Sequence, residues 1–248
     1  MPACNDASAL LTLWEGALGQ SAGARGDALL RALPEGAQPA RTLGERNARL
    51  LDLHARLFGG EIELLSRCPA CAAVAQFSGS CDALAARMRP GLEAASPARL
   101  QAQGHVVEFR LPDSADIAIA SAIEGAEDDE DFALDLLERC VLACTREGTN
   151  VPVRQLPESV LEALSQQMEA LDPGASVSFA LDCPQCAARW EAPLDVGEML
   201  WQKVRAGAER VFLHVDALAR AYGWTEREVL RLSPLRRAAY LQMATAGG

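Results

Sequence analysis

Two tetrapeptides constrain this chain more than anything else in it: Cys68-Pro-Ala-Cys71 and Cys183-Pro-Gln-Cys186. A lone Cys-Pro-x-Cys is ambiguous between half of a metal site, a redox pair and two buried thiols. Here the surroundings repeat as well. Ile62 and Leu64 lie six and four residues ahead of Cys68, and Val177 and Phe179 lie six and four ahead of Cys183. Phe77 follows Cys71 by six residues, and Trp190 follows Cys186 by four. This period of two predicts a strand, a CPxC knuckle and a second strand in each unit. A helix is expected after each, near Asp82–Met88 and near Asp195–Val204.

That context bears on the chemistry. A thioredoxin-type CxxC opens a helix, whose dipole lowers the thiol pKa; an extended segment follows here instead. Two knuckles supply four thiolates, the number a closed tetrahedral zinc site requires. The expected cofactor is one structural zinc on Cys68, Cys71, Cys183 and Cys186. Iron in a rubredoxin-like site, a dithiol redox pair and unligated thiols are the competing readings. From Ala72 to Asp182 inclusive there are 111 residues. Closing such a loop costs about 4 kcal/mol, whereas structural zinc contributes roughly 10–16 kcal/mol in small peptides. One ion could therefore join two distant regions. Four Cys leave no open coordination position, which zinc catalysis needs.

The formal net charge of −11 over 248 residues argues against nucleic acid and anionic membranes as partners. No stretch approaches the roughly 18 apolar residues of a membrane span, and the first residues lack the basic and apolar regions of a secretory signal. The reading is cytoplasmic, where eight Cys serve as ligands or core thiols rather than disulfides. No phosphate loop, nucleophile elbow, HExxH or dinucleotide fingerprint is present, so neither an enzyme nor a small-molecule substrate is expected.

The fold expected is α+β, mainly α: two strand–CPxC–strand knuckles joined into one zinc-ribbon-like site, surrounded by helices. Residues 1–41 read as a loosely attached N-terminal helical extension. Residues 42–248 form the main domain, with an insertion at 82–172 and C-terminal helices at 195–244. A helix over 43–58 places His54 partly buried on one face. His105 opens a strand beside a loop and reads as a surface residue. Six carboxylates between Glu124 and Asp131 read as a solvated loop ahead of a helix. Phe132, Leu136, Cys140 and Cys144 recur every four residues, so that helix is expected to run through Cys144 with both thiols in the core. Residues 195–222 read as helical with a break near Gly207, and His214 as a packing residue. Cys81 reads as a packing residue and Cys4 as part of a mobile terminus. Thr225 to Glu228 is a capping box, and Ser233-Pro234 starts one more helix. The resulting corner carries Trp224, Arg227, Arg231, Arg236, Arg237 and Tyr240, residue types enriched at protein interfaces.

Three stretches, "LGERNARLLDLHARLFGGEIELLSRCPAC", "SVSFALDCPQCAARWEAPLDVGEMLWQKV" and "VDALARAYGWTEREVLRLSPLRRAAYLQM", resemble zinc-knuckle proteins of contractile-tailed phages and related extracellular contractile injection systems. Those proteins are grouped with phage baseplate hub assembly chaperones. The likeness covers roughly residues 42–244. It implies a role in assembling, or staying within, a baseplate or hub, with tail proteins as partners and no reaction. One departure is plain: family knuckles often read CPxCG, and Ala72 and Ala187 stand at the Gly positions. A left-handed Ala costs about 1–2 kcal/mol. The alternatives from other classes are a zinc-ribbon nucleic-acid or transcription-associated binder and a dithiol oxidoreductase.

Overall fold

A computed structural model of the chain describes residues 7–32, 40–89, 97–120 and 129–246. Cys4 and most of the acidic segment, 124–128, lie outside them. The fold mixes α and β with helix predominating. In chain order come helices α1 (Ala7–Ala17), α2 (Ala22–Arg31) and α3 (Leu43–Phe58), then a hairpin of β1 (Glu61–Arg67) and β2 (Val74–Ser80), then α4 (Cys81–Met88). The middle holds β3 (Ala98–Ala102), β4 (His105–Phe109), α5 (Ser114–Ala120), α6 (Asp129–Cys140), β5 (Val141–Arg146), β6 (Thr149–Asn150) and α7 (Glu158–Leu171). A second hairpin, β7 (Ser178–Asp182) and β8 (Arg189–Pro193), leads into α8 (Val196–Tyr222), α9 (Glu226–Leu230) and α10 (Pro234–Ala246).

Two main cores follow from the apolar spacing. The first joins Leu13 and Ala17 of α1, Leu29 of α2, Leu50, Leu51 and Leu53 of α3, Ile62 of β1, Ala85 of α4 and Leu200, Trp201 and Val204 of α8. The N-terminal helices are thus not a loose extension: they bury their apolar stripes against α8, where leaving them exposed would cost roughly 1.5–3 kcal/mol per Leu. α8 runs unbroken for 27 residues, because Gly207 sits inside it at a close approach to Leu10 rather than at a kink. Gly223 ends it in a left-handed conformation, φ +69°.

The second core lies in the insertion, where β3, β4, β5 and β6 form one antiparallel sheet. Val107, Phe109, Leu137, Cys140, Val160 and Leu164 fill it beneath α6 and α7. The helical stripe expected through Cys144 stops short. α6 ends at Cys140, and Cys144 lies on β5 opposite Val107. The β-branched Val141 and Thr145 suit the strand, while the four-residue spacing of apolar positions cannot tell helix from strand over so short a run. Both thiols are buried all the same, and burial pushes Cys140 up to about 12. His105 is also buried rather than on the surface, because β4 is flanked on both sides by β3 and β5.

Candidate metal centre

The two hairpins are built alike down to individual hydrogen bonds. Cys68 N–H donates to Ala73 O at 2.8 Å, and Ala72 N–H to Cys68 O at 2.9 Å. Cys183 N–H donates to Ala188 O at 2.9 Å, and Ala187 N–H to Cys183 O at 3.0 Å. Ala72 and Ala187 take φ values of +59° and +57°, the left-handed turn that Gly adopts at no steric cost. The correspondence extends further. The following helices α4 and α8 are N-capped by Ser80 and Asp195, which accept from the N–H groups of Ala83 and Glu198. Each of these pairs, like Cys68 and Cys183, is 115 positions apart.

Alternation along each strand gives the hairpins an inner and an outer face. The inner faces meet. The rings of Phe77 and Phe179 lie 5.0 Å apart, and Trp190 Nε1–H donates to Ser66 Oγ at 3.1 Å. This brings the four cysteines together across the units: Cys68 Sγ lies 3.6 Å from Cys186 Sγ, and Cys71 Sγ 3.6 Å from Cys183 Sγ. All four sulfurs lie within 4.8 Å of one another. A disulfide would need about 2.05 Å. A tetrahedral metal with bonds of about 2.3 Å places its sulfurs about 3.8 Å apart, so the spacing fits a four-sulfur metal site.

Charge leads to the same fit. Backbone N–H groups of Cys186 and Gln185 turned towards Cys183 pull its thiol down to about 6, and the Gln185 N–H···Sγ distance is 3.4 Å. The Ala73 N–H lowers Cys71, but the crowding thiols of Cys186 and Cys183 outweigh it and push Cys71 up to about 12. Four thiolates this close repel one another, and a divalent cation removes that penalty. Cys68 and Cys183 are buried, whereas Cys71 and Cys186 are exposed.

A second junction joins the two units, and no local signal in the sequence marks it. Asp172, buried just after α7, accepts from Gly44 N–H at 2.9 Å at the start of α3. Asn47 of α3 donates to Gly174 O at 2.8 Å. A Cβ on Gly174 would lie 2.6 Å from Met88 Cβ and 2.9 Å from Gly44 Cα, so glycine is required by proximity. In the first unit His54 is fully buried, with Nδ1 3.3 Å from Cys81 Sγ. Burial lowers the His54 pKa and raises Cys81 to about 11, so this pair is a neutral packing contact and no part of the four-sulfur cluster.

At the C-terminal corner Arg227, Arg231 and Arg236 are exposed, while Trp224 and Tyr240 are half-buried in an aromatic cluster with Tyr222. Arg237 is not on this surface; it is buried at 7% exposure. No helix among the described residues is long and apolar enough to cross a membrane. Comparison with known proteins found no matching family model, no matching curated protein and no matching solved structure.

Proposed function

We propose that the protein is a non-enzymatic assembly factor or adaptor of a phage tail-like contractile injection particle, a baseplate or hub assembly chaperone, organised by one structural zinc. The observation that carries this reading is the closed set of four sulfurs drawn from chain segments more than 100 residues apart. Such a site joins elements and offers a substrate no coordination position. Zinc suits four thiolates in a tetrahedron. The likeness of the knuckle and C-terminal stretches to baseplate hub assembly chaperones supplies the setting, with baseplate, hub or other tail proteins as partners in the cytoplasm.

Affinity capture of the tagged protein from its own cells during particle assembly tests this reading. Baseplate or hub proteins should be enriched. Their absence, together with neighbouring genes that encode no sheath, tube or spike, would refute it.

A further inference from the structure

The C-terminal corner contains an arginine whose charge is unanswered. Arg237, on α10, is 93% buried by its 7% exposure, and its Nη1 has no hydrogen-bond partner. No ion pair reaches it among the described residues. Facing α10 across the helix contact is α8, where Nδ1 of His214 is likewise buried without a partner. Arg237 lies near enough for its charge to help burial hold His214 neutral, and Arg210, one turn before His214, adds to that effect. The carboxylates on this part of α8 are already engaged. Glu209 accepts from Arg205 and Asp216 from Arg220, both at 2.9 Å. Buried charges are paired as a rule, and a lone one costs several kcal/mol. Arg237 is thus a buried cation with no charge partner among the described residues.

We propose that Arg237, with His214 and Arg210, is a receptor for a carboxylate side chain presented by an acidic segment of a partner protein. The surroundings select a polypeptide over a free anion. Between Leu218 and Ala246 there are five Arg and two Glu, in a chain whose net charge is −11. Arg227, Arg231 and Arg236 are exposed and form no ion pair among the described residues. Leu213, 67% exposed, lies next to His214 on α8. Exposed arginines and the apolar Leu213 beside His214 match an acidic segment that also carries an apolar residue, and one carboxylate inserted between α8 and α10 at Arg237 would fix its register.

The proposal deepens the adaptor reading by stating the chemistry a partner must present. Its test is independent of partner identity: titrate the full-length, metal-loaded protein with an acetylated hexaglutamate peptide and follow the Arg237 side-chain Nε–H resonance. The peptide should move that resonance saturably. Arg237→Met should weaken binding by roughly 30-fold or more, the loss expected when one partner of a buried charge pair is removed. The free variant should also melt at a higher temperature than the original, since Met fills similar space without a buried charge. An unmoved Arg237 resonance would overturn the proposal even if the variant failed to fold. So would unchanged peptide affinity in Arg237→Met, a lower melting temperature in a variant that still folds, or inorganic phosphate binding Arg237 as tightly as the peptide. None of these would touch the adaptor reading, which stands or falls on the capture experiment.

Discussion

The two CPxC hairpins share one backbone and wear different coats. Their turns, their left-handed Ala residues and the caps of the helices that follow correspond position by position. Their outer faces do not. The first exposes Leu65 and Val74, at 70% and 50%. At the matching positions the second has Ala180 and Arg189, and Arg189 pairs with Asp182 at 2.7 Å. The helix before each hairpin differs too: α3 carries the buried His54, whereas α7 carries exposed Glu169 at the matching place. What the four-sulfur site needs is duplicated, and what faces solvent or the neighbouring core has diverged. The shared part is set by the geometry of the four-sulfur cluster, and the rest by the surroundings of each copy.

The largest effect should treat the copies as equals. Cys68→Ala and Cys183→Ala should each abolish stoichiometric metal binding and lower the melting temperature by similar, large amounts, since structural zinc is worth roughly 10–16 kcal/mol in small peptides. Calorimetry with metal analysis checks this; a hairpin that loses its cysteine without consequence would break the equivalence.

The junction between the copies comes next. Gly174→Ala should destabilise by about 1–3 kcal/mol, because the new methyl would meet Met88 and Gly44 where neither has room. Denaturant titration would show it. Smaller and opposite in sign, Ala72→Gly and Ala187→Gly should each stabilise by about 1 kcal/mol, relieving a left-handed Ala. Gains of unlike size would mean that the two turns are not the same.

His54 should separate the copies by pH. Its folded pKa lies below its unfolded value of about 6.5. The folded state therefore binds fewer protons than the unfolded one in that window. The contribution is intact above about pH 6.5 and is lost as pH falls towards the folded pKa. Stability measured from pH 7 to pH 5 should decline, and less steeply in His54→Gln, with His214, also lowered by burial, supplying part of what remains. The smallest effects belong to the coats: Arg189→Ala should cost about 0.5 kcal/mol or less, because both partners of that pair are exposed.

The four-cysteine cluster was legible in the sequence because CPxC fixes local geometry and the period-two flanks fix the strands. The Thr225–Glu228 capping box and the Gly223 that ends α8 were legible for the same reason: their signals are local. What was not legible depends on tertiary partners. Nothing near residue 105 says that β4 will be flanked on both sides, so His105 reads as exposed until β5 is placed. Cys144 keeps its burial while changing from helix to strand, because a core position looks the same in either pattern. The contact of Asp172 with Gly44 joins residues 128 apart, and Asp172 announces only the end of α7. Arg237 reads as one more surface arginine until α10 is laid on α8.

Whether one tetrahedral metal ion on four sulfurs joins the two hairpins is read from the metal content of the protein purified without chelator or added metal. One zinc per chain is expected, absent from a variant in which Cys68 and Cys183 are both Ala. A folded protein with no metal, or a metal retained in that double variant, would contradict that expectation.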